Sequence, residues 1–146
     1  MKRILWIDEE KDTMIKYDIF SLKEKLKGNA KITVVDTLGE AKKKIELEEW
    51  DIVILDIMFP DLSNEEEKIT GITKEETYRG IIAGAIFYEK YIKPKGIKTV
   101  VYTYLNKGVP EYKIAREKTE EIKWIEKPRM EELVEWIKEE LKDETL

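Results

Sequence analysis

Along this chain, short and nearly unbroken apolar runs alternate with longer stretches whose apolar residues recur every three or four positions. The first run, Arg3 to Ile7 (RILWI), reads as a strand and ends in three acids, Asp8, Glu9 and Glu10. From Asp12 to Leu26, Ile15, Ile19, Leu22 and Leu26 fall at helical spacing, and Gly28 supplies a stop. A strand is predicted over Ile32 to Val35. Thr37 and Glu40, spaced like a capping box, then open a helix with Leu38, Ala41 and Ile45 on its inner side. The run Ile52 to Leu55 is a buried strand that delivers Asp56 and breaks at Pro60.

Residues 61–77 interrupt this rhythm. They are polar, carry Glu65, Glu66 and Glu67 together, and show no clear period, which predicts a long loop or insertion with no more than a helical turn. A helix is predicted from Glu75 to Lys93, with Ile81, Ala85, Tyr88 and Ile92 towards a sheet and an end at Pro94 and Gly96. The strand Lys98 to Tyr102 delivers Thr103. Pro110 suits the first turn of a helix reaching Glu121, but the apolar stripe there is thin, little more than Ile114 and Ala115. Ile122 to Ile125 is the fifth strand, followed by Glu126, Lys127 and Pro128. A last helix, Met130 to Lys142, sets Met130, Leu133, Val134, Ile137 and Leu141 on one face.

Five nearly all-apolar strands alternating with five helices predict one α/β domain spanning residues 1–146, a doubly wound parallel sheet covered on both faces. In such a sheet the crevice lies beyond the C-terminal strand ends, at the switch point of strand order. That rule gathers Asp8, Glu9, Asp56, Thr103 and Lys127 at one edge, although they are spread over most of the chain.

Composition narrows the chemistry further. There is no Cys and no His, so thiol chemistry is excluded and any reaction must rest on carboxylates, Lys and hydroxyls. Charged residues make up 40% of the chain, against about 25% on average, with both signs interleaved as on a thermophile's ion-pair-laced surface. The net charge of −5 argues against nucleic acid as a direct partner. With no signal peptide, lipid motif or long apolar span, the expectation is a soluble cytoplasmic chain without membrane insertion.

Three neighbouring carboxylates repel one another, and a hard divalent cation such as Mg²⁺ relieves that repulsion. A carboxylate can also accept a phosphoryl group, a transfer that depends on positioning and charge stabilisation. Lys127 would supply a point charge to one phosphoryl oxygen and Thr103 a hydrogen bond to another. Each residue also has a plainer role. The acids could be a solvated strand end, Asp56 a turn cap, Lys127 a surface residue, Trp124 a packing residue, and Glu65 to Glu67 a solvated run. Their joint placement at the right strand ends favours a site.

The motifs ILWIDEE, LDIMFP, VVYTY and WIEKP, in this order, resemble a response regulator receiver domain of the chemotaxis type over essentially the whole chain. The resemblance implies a flavodoxin-like three-layer α/β/α fold with strand order 2-1-3-4-5. It implies Asp56 as phosphoacceptor, and Asp8, Glu9, Asp56 and the Met58 backbone carbonyl around Mg²⁺. Thr103 and Lys127 take the switch hydroxyl and lysine positions, Trp124 the switch aromatic position, and Pro128 follows the family's cis peptide. Three departures stand out: Glu9 where the family has Asp, the bulky Tyr104 after Thr103, and a loop lengthened between Asp61 and Ala83, with Gly84 matching the helix-opening glycine.

The expected partners are a histidine kinase or phosphotransfer protein as donor and a downstream protein. The resemblance also leaves open a homodimer through the fourth helix, fifth strand and fifth helix. The last predicted helix ends near the chain terminus, so no attached output domain is expected and the chain would be either a stand-alone shuttle or a fragment of a longer protein, catalysing only reactions at its own Asp56. Phosphorylation is expected to draw in Thr103 and to bias Trp124 and the thinly packed helix. Apolar Met58 and Leu105, with Tyr104, would slow hydrolysis. Two other readings compete: a pseudo-receiver that binds a partner without phosphorylation, favoured by Glu9 and Tyr104, and a flavodoxin-like cofactor protein. The second needs a glycine- or hydroxyl-rich phosphate loop where DEEKD stands.

Overall fold

The computed structural model describes residues 1–13 and 15–142. Five parallel strands, β1 (Lys2–Ile7), β2 (Ala30–Val35), β3 (Ile52–Leu55), β4 (Lys98–Thr103) and β5 (Lys123–Glu126), form one sheet in the order β2-β1-β3-β4-β5. The expected strand order is therefore the observed one. Register is continuous, with Leu5 beside Thr33 and Val53, and Ile54 beside Val100.

Side chains alternate between two cores, as a sheet buried on both faces requires. Leu5, Ile7, Val53, Leu55 and Val101 enter one core, whereas Ile4, Trp6, Ile52, Ile54, Val100 and Tyr102 enter the other. The second core is closed by α1 (Lys16–Lys25) and α6 (Met130–Lys142). The first is closed by α2 (Leu38–Leu47), α4 (Ala83–Phe87) and α5 (Glu111–Lys118), with the short α3 (Asn64–Thr70) on its flank. In α2 the Thr37 side chain accepts the Glu40 N–H, as the capping pattern predicted.

Several predicted boundaries move. The helix expected from Asp12 begins at Lys16, because residues 8–13 turn around the acidic strand end; residue 14 lies outside the described residues. The helix expected to reach Glu121 stops at Lys118, where Thr119 folds its hydroxyl back onto the Ala115 carbonyl. The fifth strand starts one residue later than predicted, at Lys123.

The larger correction concerns residues 61–95. The segment read as a loop holds a real helix, α3, capped by the Ser63 side chain and ended by Gly71 in a left-handed conformation. Among the described residues there are thus six α-helices where five were predicted. Nor is the Glu65 to Glu67 run merely solvated. Glu66 accepts the Gly39 N–H at the start of α2 at 2.8 Å, and Glu67 accepts the Lys74 N–H at 2.8 Å. The helix predicted from Glu75 starts only at Ala83, after a turn in which Tyr78 and Arg79 have φ of 53° and 59°. It then widens to a π-helical segment, Tyr88–Ile92, and tightens to a 3-10 turn, Lys93–Lys95.

Gly84 explains where that helix can begin. A Cβ there would stand 2.1 Å from the Asp56 carbonyl oxygen and 2.7 Å from Ile57 Cα, so α4 touches the backbone of the strand end. The only room for a side chain would come from moving that backbone. Gly84→Ala is expected to destabilise the fold by about 3 kcal/mol, the upper end for overpacking. Leu47→Ala, at a residue 81% exposed, should change stability by less than about 0.5 kcal/mol. Urea denaturation of both variants checks the contrast.

Candidate functional site

The sheet reverses its winding between β1 and β3, so the chain segments leaving these two strands diverge and open a crevice. Asp8 leaves β1 with its N–H on the Val35 carbonyl, and Asp56 leaves β3 with its N–H on the Ile7 carbonyl. On the far side Lys127 donates its N–H to the Thr103 carbonyl, which ties the end of β5 to the end of β4. Sheet hydrogen bonds thus fix the backbone of four of the five predicted residues, Asp8, Asp56, Thr103 and Lys127.

Asp8, Asp56, Thr103 and Lys127 are all buried, between 0% and 3% exposed, in a chain whose other buried residues are overwhelmingly apolar. Lys127 Nζ lies 2.7 Å from Asp8 Oδ2 and 3.3 Å from Asp56 Oδ2. The approach to Asp8 is the closer ion pair, and that to Asp56 is also a hydrogen bond. Asp56 Oδ1 accepts the N–H groups of Ile57 at 2.7 Å and Met58 at 3.4 Å, and Asp8 Oδ1 accepts the Glu10 N–H at 2.9 Å. Each carboxylate is therefore held by backbone on one oxygen and by the shared ammonium on the other.

Two buried carboxylates against one ammonium leave the pocket short of positive charge. Burial raises Asp8 to about 6, with the Asp56 charge adding to it and Lys127 opposing. Burial likewise raises Asp56, against the pull of Lys127 and the Thr103 hydroxyl. Burial alone would lower Lys127, but the Asp56 and Asp8 charges outweigh it and hold the ammonium above its usual range.

Glu9, half-buried beside this pair, is raised to about 7 by burial and then by the charge of Asp61. Asp8, Glu9 and Asp56 are the oxygen donors available to a hard cation, with Met58 at the same rim. Among the described residues, however, no three acidic groups already converge closely enough to hold one. The ammonium of Lys127 stands between two of the three.

Two further residues belong to this pocket and were not assigned to it from the sequence. Glu10 has a buried Oε2 without a hydrogen-bond partner, and its charge reaches Lys127. Asp61 faces Glu9. Tyr104, expected to help slow hydrolysis, turns its ring to the lysine, with Lys127 Nζ 5.2 Å from the centroid and 5.9 Å from that of the Tyr102 ring. Only a knowledge of the loop path would have placed these groups.

The Lys127–Pro128 peptide is cis. Trp124 lies away from the pocket, half-buried, donating Nε1 to Thr119 Oγ1 at 2.8 Å. It meets Tyr112 edge-to-face at 5.4 Å and Arg116 at 4.9 Å. These contacts, rather than an aliphatic stripe, dock α5, in which Ala115 alone is buried.

No family model matches the sequence, and no curated protein matches it significantly. Solved structures do match. The chain is similar to a CheY-like response regulator receiver domain protein from Methanospirillum hungatei, with 25% identity, TM-score 0.66, and coverage of 98% of this chain and 95% of that one. It is similar to a two-component response regulator from Clostridium difficile (21%, 0.67, 97% of each chain). It is also similar to the receiver domain of the Francisella response regulator 1452 (20%, 0.63, 98% of each chain).

Replacing Lys127 by Met would leave two buried carboxylates facing each other without a cation. Lys127→Met is expected to lose about 3–5 kcal/mol of stability. Adding Asp56→Asn to it should restore a large part, because the repulsion is gone. Thermal or urea unfolding of the single and double variants checks this.

Proposed function

We propose that this chain, which has the fold of response regulator receiver domains, is a phosphorylation-dependent signalling receiver whose Asp56 takes a phosphoryl group from a histidine kinase or phosphotransfer protein. The observation that carries this reading is the Lys127 ammonium shared by two buried carboxylates at the switch point of the sheet. An ion cluster of this kind contributes little to stability that apolar residues would not give better. Its value lies in chemistry.

In the transfer, Asp56 Oδ2 attacks phosphorus, the bond from phosphorus to the donor's imidazole nitrogen breaks, and its electron pair stays on that nitrogen. An acyl phosphate forms on Asp56. The backbone N–H groups of Ile57 and Met58 hold the other oxygen, so the attacking one is pre-aimed. Lys127 turns its charge from Asp56 to a phosphoryl oxygen, and the buried Thr103 hydroxyl donates to another. No histidine is needed in this chain, since the donor brings its own.

Asp8, Glu9, Asp56 and the Met58 carbonyl are the groups that would hold Mg²⁺, all hard oxygen donors. The Glu9 carboxyl, raised by burial and then by the charge of Asp61, and the Asp8 carboxyl, raised by burial and then by the charge of Asp56, are what such a cation would relieve. When bound, Mg²⁺ would supply charge neutralisation for the incoming phosphoryl group.

Once formed, the acyl phosphate is sheltered. Leu105 is 3% exposed, Met58 half-buried, and the Tyr104 ring lies over Lys127, so an attacking water meets an apolar rim. Recruitment of Thr103 then shifts the loop that follows it and biases the Trp124 and α5 contacts, changing the surface offered to a downstream partner. A partner-binding module that is never phosphorylated is the second reading. It is favoured by the lysine standing between the carboxylates and by Tyr104 above it.

Incubation with a labelled phosphodonor and Mg²⁺ is expected to label the wild type, and Asp56→Asn to lose the label while keeping its fold. Unchanged labelling of Asp56→Asn would overturn the assignment. The isolated phosphorylated protein should keep its label for minutes, and loss within seconds would contradict the shelter described above. Beryllofluoride with Mg²⁺ should alter the Trp fluorescence; no response to either ligand selects the phosphorylation-independent module.

A further inference from the structure

The sharpest backbone strain in the described chain lies in the inserted segment, at the turn Tyr78-Arg79-Gly80. All three residues are left-handed, with φ of 53°, 59° and 88°, and two of them are not glycine. Side-chain-bearing residues adopt this region at a cost and keep it only where the surroundings over-determine it. Here the determining contacts lead to the phosphoacceptor.

The path is a chain of hydrogen bonds. Asp56 Oδ1 accepts the N–H of Ile57 at 2.7 Å, the Ile57 carbonyl accepts the N–H of Gly84 at 2.8 Å, and Phe59 donates its N–H to the Gly80 carbonyl at 2.8 Å. The two segments touch without slack, since a Cβ on Gly80 would lie 2.1 Å from the Phe59 carbonyl oxygen and one on Gly84 2.1 Å from that of Asp56. The near end of the turn is pinned by the buried Thr77, whose Oγ1 donates to the Thr73 carbonyl at 2.8 Å and accepts the Gly80 N–H at 3.0 Å. Its outer side is exposed, although the Arg79 N–H donates to the Lys74 carbonyl at 2.8 Å and the Tyr78 N–H to the Glu75 carbonyl at 3.3 Å. Tyr78 is 46% exposed, and an open cleft of about 820 Å³ separates Tyr78 and Arg79 from residues 60–63.

We propose that the Tyr78-Arg79-Gly80 turn is a strained switch wired by backbone hydrogen bonds to the loop after Asp56, so that modification of Asp56 releases it and alters the face bearing Tyr78 and Arg79. The inference rests on the phosphoacceptor reading. Acylation converts the Asp56 carboxylate into a weaker, uncharged acceptor, which loosens the Ile57 and Met58 N–H groups. Because Ile57 and Phe59 are bonded to Gly84 and Gly80, that change passes to the turn, where relief of strain adds to the driving force. This output lies on the insertion, apart from the Thr103 and Trp124 route.

The test uses beryllofluoride with Mg²⁺ as the probe. Hydrogen exchange is expected to change several-fold at Phe59 and across residues 77–84 on adding the probe, and to stay unchanged in Asp56→Asn. Arg79→Gly, which fits a left-handed position, should raise Tm, because it removes strain from the resting state, and should weaken beryllofluoride binding about fivefold, the factor set by losing one strained residue's contribution. If Arg79→Gly raises Tm and leaves the affinity unchanged, or if exchange at 77–84 does not respond to bound probe, the switch is refuted. If the wild type does not bind beryllofluoride at all, as read by calorimetry, the phosphoacceptor reading itself has failed.

Discussion

The structure depends on one ammonium. Lys127 Nζ sits 2.7 Å from Asp8 and 3.3 Å from Asp56, fully enclosed, at the point where the sheet reverses its winding. Without it, two strand ends would bring like charges into an apolar interior, where the penalty for an unpaired ion is several kcal/mol. With it, burial still raises Asp8, Glu9 and Asp56, and carboxylate neighbours add to the rise at Asp8 and Glu9. The pocket is stable as it stands and incomplete at the same time. It gains most from a ligand that carries a cation and offers oxygens to Lys127, and a phosphoryl group arriving with Mg²⁺ has that character.

Around this centre the protein divides into a rigid part and an adjustable one. The strands and the Gly84 contact fix Asp56 through backbone, with no side-chain freedom to absorb an error. The loop carrying Tyr104 and Leu105 is tied back to the pocket by the Leu105 N–H bond to Thr103 Oγ1 at 3.2 Å. Further out, α5 is docked by Trp124, Tyr112 and Arg116 rather than by a deep apolar stripe.

The parts legible in the sequence were those under a single dominant force. A parallel strand buried on both faces must be apolar throughout, so Ile52–Leu55 and its neighbours stood out, and a charged residue ending such a run had few explanations other than a site. The last helix, Met130–Lys142, was equally plain because its apolar face is unbroken. Residues 61–95 were not legible, for physical reasons. The helix α3 is held by caps at Ser63 and Gly71 and by a bond from Gly39 to Glu66, 27 positions away, none of which leaves a hydrophobic period. The turn at Tyr78 and Arg79 places side-chain-bearing residues where local preference puts glycine, so propensity argued for helix there and tertiary contacts overrode it. Glu10 and Asp61 were missed as pocket residues because their roles follow from how the loops pass around the pocket, which residue spacing does not encode.

The central claim is that Lys127 holds Asp8 and Asp56 together until a phosphoryl group replaces one of them as its partner. A crystal structure of the protein grown with Mg²⁺ and beryllofluoride tests this most directly. The account predicts beryllofluoride on Asp56, with Lys127 Nζ turned from Asp56 Oδ2 to a fluorine. It would be contradicted by an unmodified Asp56, at saturating ligand, with Lys127 still bridging the two carboxylates.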